Sequence, residues 1–216
     1  LQFYVSDDLK DDLEQYKKDP NAQYVWKWCD AWEVDRVNGD SEKCPVCGRH
    51  VSMLRWLEPR KLRLTSTKYP DRLTAWLSDM VVSERFKNAY EQEGLTGIRE
   101  FTPVEVVKVA RMKVNSPNPP KYFCAEVDYT RNVRVDVKKS KIKGQKTDWK
   151  CPLCNPWGST RDKILKLVLN TSDWQGEDIF KVYSFRVVVS QRFYDVIQRY
   201  DFTNFNMVPV EEYILR

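Results

Sequence analysis

Two stretches of the chain carry the same alternation of apolar and polar positions, and each predicts a strand, a helix and a second strand. Residues 73–82 and 179–189 are β-rich runs, the second holding Val182, Phe185, Val187, Val188 and Val189. A serine follows each run, Ser83 and Ser190, and a serine hydroxyl accepts an orphan backbone N–H at a helix start. Phe86, Ala89 and Tyr90 then share one helical face, as do Phe193, Val196, Ile197 and Tyr200. Gly94 is placed to end the first helix, and the segments reaching Phe101 and Met207 return to strands. Elsewhere the pattern is mostly β. Residues 130–138 alternate Arg, Val and Asp, which predicts a half-exposed strand with Val133, Val135 and Val137 inward. Residues 139–146 read as a basic loop turning at Gly144, and residues 115–120 as a proline-rich linker. Ser6 followed by Leu9, Leu13 and Tyr16 predicts a short helix, with Asp7, Asp8, Asp11, Asp12 and Glu14 as its solvated face.

The similarity of the two stretches extends to their spacing. Ser83 and Ser190 are 107 residues apart, and so are Cys44 and Cys151, and Cys47 and Cys154. Leu95-Thr96-Gly97-Ile98 meets Phe202-Thr203-Asn204-Phe205 at the same offset, and Pro103-Val104-Glu105 meets Pro209-Val210-Glu211 one residue short of it. Several landmarks sharing one offset imply an internal duplication. The expected fold is α+β, with two related β-rich halves, residues 1–107 and 108–216, packed as one body.

Composition narrows the class. Of the 216 residues 42% are hydrophobic, and 8 Trp, 11 Tyr and 9 Phe supply a core too large for a disordered chain or a small disulfide scaffold. No apolar run approaches the ~18 residues of a membrane span, and residues 1–8 lack the pattern of a secretory signal. A soluble, cytoplasmic protein without membrane contact is expected. The net charge of +5 is unevenly spread. Residues 1–40 hold ten acidic against five basic residues, whereas residues 108–150 hold twelve basic against four acidic. The basic stretch is suited to an acidic surface, and Lys138, Lys139, Lys141 and Lys143 are its candidate partner contacts.

Four of the six cysteines form two matched pairs, Cys44-Pro-Val-Cys47 and Cys151-Pro-Leu-Cys154. A C-P-x-C knuckle folds back so that both sulfurs meet one tetrahedral ion at ~2.3 Å, and two knuckles complete a four-sulfur site with no open position. Structural zinc on Cys44, Cys47, Cys151 and Cys154, in a zinc-ribbon-like arrangement joining the two halves, is the expectation. The alternatives are a redox pair, which explains one CxxC but not two, two disulfides, or knuckles that no longer hold metal. Cys29 and Cys124, beside aromatic residues, read as small core residues. His50, the only histidine, reads as a surface or hydrogen-bonding residue rather than a ligand.

No catalytic constellation is visible. A single histidine removes most histidine-based arrangements, and phosphate-loop and nucleophile-elbow motifs are absent. A binding protein rather than an enzyme is expected, with no small-molecule substrate. A carboxylate-based enzyme is a third class, which a deep pocket with two carboxylates would revive. The alternative binder is a zinc-ribbon nucleic-acid-binding protein that uses residues 108–150, with Tyr122, Phe123, Tyr129 and Trp149 as stacking rings. The plain reading of those lysines is a charged guard on strand edges.

The Cys44-Pro-Val-Cys47-Gly48 knuckle and its partner at Cys151, with Val82-Ser83-Glu84-Arg85-Phe86 and the echo Ser190-Gln191-Arg192-Phe193, resemble the double-CXXCG motif immunity proteins of myxobacterial type. The segments Phe101-Thr102-Pro103-Val104 and Val208-Pro209-Val210 add to that resemblance. It departs at Asn155, where the second CXXCG has Gly; Asn tolerates the left-handed conformation that Gly provides, so a like knuckle is expected. The resemblance implies a bacterial cytoplasmic antidote, made beside a protein toxin, that binds and neutralises it through protein–protein interaction.

Overall fold

A computed structural model describes residues 2–6, 30–73, 80–110, 112, 117–161, 163–183 and 187–215. Cys29, the acidic run at 7–14 with its expected helix, and Phe185 lie outside these residues, as does part of the linker at 115–120. The described chain is β-rich with two α-helices, so the α+β class holds. No described helix is long and apolar enough to cross a membrane.

Two sheets carry the fold. The larger has six strands in the order Ala31–Val34, Lys61–Leu64, Ile98–Val109, Tyr122–Val127, Met80–Ser83 and Arg72–Leu73. The other has five, in the order Tyr129–Thr130, Ile179–Val182, Val187–Ser190, Phe3–Ser6 and Met207–Pro209. Each sheet has an inner strand that comes from the other side of residue 107 in the sequence. Phe3–Ser6 lies between Val187–Ser190 and Met207–Pro209, and Tyr122–Val127 lies between Met80–Ser83 and Ile98–Val109.

The two helices are α1, Glu84–Gln92, and α2, Gln191–Arg199. Both begin as their sequences require: the Ser83 hydroxyl accepts from the Phe86 N–H at 3.2 Å, and Ser190 accepts from Phe193 at 3.1 Å. α1 buries Phe86, Ala89 and Tyr90, and α2 buries Phe193, Val196 and Ile197. These faces meet in one core with Tyr4, Val82, Ala125, Val189, Phe202 and Phe205. The Phe86 and Phe193 rings stand 6.0 Å apart at its centre. Each fully buried aromatic contributes roughly 1.5–3 kcal/mol over leaving it exposed, so the helix pair is the main join between the two ends of the chain. Tyr200 falls at the α2 C-cap and is only half-buried. Gly94, just past the α1 C-cap Glu93, has φ +60°, as a helix terminator does.

The segment from 130 to 146 differs from its alternating pattern. Its strand is broken: Thr130 ends the strand Tyr129–Thr130, and after a bend only Arg134–Val135 is extended, paired with Leu169–Asn170. A turn at 137–139 follows, fastened by the Asp136 carboxylate, which accepts from the Lys138 and Lys139 N–H groups. Val133 and Val135 are buried as the alternation requires, but Val137 rides on the turn and is exposed. The expected basic loop contains the strand Lys141–Lys143, paired with Lys163–Lys166. Gly144 marks a close approach rather than a turn: a Cβ there would lie 2.1 Å from the Thr160 carbonyl oxygen.

Candidate metal centre

The first knuckle sits at the tip of a two-stranded ribbon, Val37–Lys43 against His50–Leu57. The Gly48 N–H donates to the Cys44 carbonyl at 2.8 Å, and the Cys44 N–H donates to Arg49 at 2.7 Å. Gly48 supplies the left-handed step, φ +73°, that the return bond from residue 49 needs. The second knuckle closes one residue sooner. Asn155 and Cys151 exchange both backbone bonds directly, at 3.0 and 3.2 Å, without a left-handed residue. The expectation that Asn155 copies Gly48 is therefore corrected. Its side-chain amide is used instead, donating to Thr147 Oγ1 at 3.0 Å and to the Trp149 carbonyl at 3.2 Å, which braces the loop from behind.

The chain brings all four cysteines together. Their sulfurs lie within 4.8 Å of one another, with Cys44 to Cys151 at 3.8 Å and Cys47 to Cys154 at 3.5 Å. No pair is bonded as a disulfide, whose sulfurs would stand near 2.05 Å. Four thiolates around a tetrahedral ion at ~2.3 Å are separated by about 3.8 Å from edge to edge, so the cluster has the dimensions of a four-sulfur site. Cys44, Cys151 and Cys154 are buried, Cys47 is exposed, and Leu153, Val51, Trp149 and Tyr183 pack around them. Arg49 lies over the Trp149 ring at 4.7 Å, tying the flanks of the two knuckles.

The local electrostatics favour a thiolate at Cys151. Burial pushes its thiol up, but the backbone N–H groups of Cys154 and Leu153 and the thiols of Cys154 and Cys47 outweigh it and bring it to about 6. Burial and the thiols of Cys47, Cys44 and Cys151 all push Cys154 up. The clustered thiols push the ionisation of Cys151 and Cys154 apart. His50 stays outside the cluster. It is exposed and hydrogen-bonded through Nδ1 to Ser41 Oγ. Cys124 is buried in its strand opposite Val81, a core residue as expected.

The lysine face is exposed throughout, and Lys139 pairs with Asp136 at 3.3 Å. The proposed stacking rings are engaged elsewhere. Tyr122 is buried with its hydroxyl on the Pro70 carbonyl, Phe123 lies under the Lys87 ammonium, Tyr129 stacks on Tyr183, and Trp149 carries Arg49.

Sequence reasoning did not find two carboxylates, Asp71 and Asp178, each twelve residues before a cap serine. The Ser83 hydroxyl donates to Asp71 Oδ1 and the Ser190 hydroxyl to Asp178 Oδ1, both at 2.8 Å. Arg85 and Arg192 then pair with these carboxylates at 2.6 and 2.9 Å. Each clamp is closed by the loop past the other helix: Thr203 donates to Asp71, and Thr96 donates to Asp178. Asp71 and Asp178 are separated by the same 107 residues as the serines, a signal available in the sequence.

Compared with known proteins, residues 38–212 match the model of a family described as the immunity protein family Imm11. No curated protein matches the chain.

Proposed function

The chain belongs to the Imm11 immunity protein family, and on that premise we propose that it binds and neutralises a cognate bacterial toxin in the cytoplasm, without catalysis of its own. The observation that carries this reading is the family match over most of the chain. The cysteine cluster supports it in a secondary way. Zinc held by Cys44, Cys47, Cys151 and Cys154 is structural, because four sulfurs leave no coordination position for water or substrate. Its role is to fasten the ribbon at 37–57 to the loop at 147–159, so that the surface offered to the toxin is rigid before binding. The halves 1–107 and 108–216 are copies of one ancestral unit that exchanged their first strands and pack as one body. The exposed Lys138, Lys139, Lys141 and Lys143 form a contact region for the toxin.

The test is co-expression with the product of the neighbouring gene in cells that this product kills. Growth rescue together with a complex on a sizing column is the expected result. No rescue and no complex would reject the reading, and turnover of a small molecule lost on neutralising a carboxylate pair would replace it with an enzyme.

A further inference from the structure

The ribbon formed by Lys141–Lys143 and Lys163–Lys166 is built against its own stability. Its register sets Lys143 opposite Lys163 and, across a bulge that leaves Leu165 as the extra residue, Lys141 opposite Lys166. Directly opposed residues of an antiparallel pair point to the same face, and like charges there are unfavourable. The other face is satisfied: Ile164 is buried and Ile142 packs beside it against Leu167 and Tyr213. Among the described residues none of these four lysines has an ion-pair partner. Leu165, 40% exposed, lies among them, and the exposed Val137 sits on the neighbouring turn. Lys163 and Lys166 lie outside the basic stretch at 108–150 and join it only through the fold.

We infer that these four ammonium groups recognise an acidic protein surface, a carboxylate cluster on the toxin that meets Lys141, Lys143, Lys163 and Lys166 around Leu165. Resting on the immunity reading, the inference gives that partner a footprint. Neighbouring strands stand about 5 Å apart, and Lys141 and Lys143, alternate residues of one strand, about 7 Å apart, with Lys163 and Lys166 facing them across the bulge, so the partner carries carboxylates on a patch of roughly those dimensions. Carboxylates there relieve the cross-strand repulsion, and the gain exists only in the complex. A charged guard on a strand edge requires charge but not charge of one sign on both strands. Nucleic acid is the less favoured occupant, because the aromatic rings of the basic stretch are engaged elsewhere.

The deciding variant is K141E/K143E in the full chain, which places glutamates opposite Lys166 and Lys163. Stability and recognition should move in opposite directions. The Tm is expected to rise by about 2–4 °C as two repulsions become attractions. Association with the purified product of the neighbouring gene should slow by about tenfold or more, with a flatter salt dependence. The neutral K141Q/K143Q variant should fall between, and it carries the test should the charge-reversed chain fail to fold. An unchanged association rate and salt slope, with the wild-type complex intact, overturns this assignment and leaves the immunity reading standing. If the wild-type chain forms no complex, both fail. Displacement of the toxin by double-stranded DNA at physiological salt reassigns the face to nucleic acid and overturns the inference.

Discussion

The units around α1 and α2 share a register and differ in their loops. In the six-stranded sheet Ser83 faces Tyr122 and Val82 faces Phe123, while Pro103 faces Phe123 from the other side. In the five-stranded sheet Ser190 faces Phe3 and Val189 faces Tyr4, while Pro209 faces Tyr4. In each case the strand between comes from the other side of residue 107, and so does the loop that closes the carboxylate clamp. Arg85 donates to the carbonyls of Tyr200 and Asp201, and Arg192 to those of Glu93 and Gly94. The difference lies where the backbone turns left-handed. Past α1 it does so at Gly94 and Gly97, with φ +60° and +108°; past α2, at Asp201 and Asn204, with φ +49° and +63°. One conformation is met by glycine in one loop and by short polar residues in the other. The backbone path is therefore the shared requirement, and residue choice answers to what lies beside it.

The largest effect is expected at the four-cysteine cluster, where the two knuckles meet. Cys151→Ser should abolish zinc binding, read as loss of bound metal by elemental analysis, and cost several kcal/mol in urea unfolding. Cys47→Ser should also remove the metal but cost less, because Cys47 is exposed and its hydroxyl replacement stays solvated, whereas Cys151 is buried. Equal costs would mean that loss of the metal, and not the packing of each cysteine, sets the cost at both positions. Full retention of bound metal in Cys151→Ser would remove that cysteine from the site.

The left-handed positions come next. A Cβ on Gly97 would lie 1.8 Å from the Ile179 carbonyl oxygen, a backbone atom that cannot swing aside. Gly97→Ala should cost about 3 kcal/mol or more, from clash and conformation together. Asn204→Gly, at the matching place, should stay within about 1 kcal/mol, losing chiefly its bond to Asp30, 2.9 Å long. Denaturant midpoints of the two variants measure the contrast, and a mild Gly97→Ala would show that this loop moves more freely than its packing implies.

Acid acts on the clamps more gently. Burial pushes the Asp71 carboxyl up, but Arg85, the Thr203 N–H and the Ser83 hydroxyl outweigh it and hold it below the usual range. Outside the clamps, the buried Glu126 pairs with Arg99, Arg55 and Arg60 at 2.6, 3.0 and 2.9 Å; burial raises it, and these arginines bring it down. For both groups the native chain binds fewer protons than the unfolded one. Their stabilisation is therefore present above the ordinary carboxylate pKa values and is lost as pH falls through the depressed native ones. Unfolding midpoints followed from about pH 6 to pH 3 should fall, and Asp71→Asn should reduce the fall while costing about 2–3 kcal/mol at neutral pH. A pH profile unaltered by Asp71→Asn would assign acid sensitivity elsewhere.

The strand–helix–strand units, their cap serines and the cysteine pairs were legible because each rests on local chemistry at fixed spacing. Ser83 needs only the N–H three residues on, and Cys44 needs only Cys47 to form a knuckle. The meeting of Cys44 with Cys151 was inferred from spacing and the completeness of a four-sulfur set. The sheet that each of Phe3–Ser6 and Tyr122–Val127 joins was not legible, because both are short apolar runs that fit either sheet equally well. Val137 was misassigned because alternation says nothing of a turn fastened by Asp136. Lys163 and Lys166 escaped notice because charge was counted along the chain, whereas strand pairing assembles it across.

The smallest effect tests the equivalence of the two caps most directly. Ser83→Ala removes the acceptor for the Phe86 N–H and a donor to Asp71; Ser190→Ala does the same to Phe193 and Asp178. Each should cost about 1–2 kcal/mol, and the two values should agree within about 0.5 kcal/mol, since burial and partners correspond. The double variant measures whether the clamps act as one device. Each carboxylate is tied to the loop past the other helix, and Phe86 touches Phe193, so loosening one helix start should weaken the seat of the other. The double loss should then exceed the sum of the single ones by more than the ~0.5 kcal/mol expected of independent sites. Strict additivity would describe two units that share a core but are held separately, and a large inequality between the serines would confine the equivalence to backbone register.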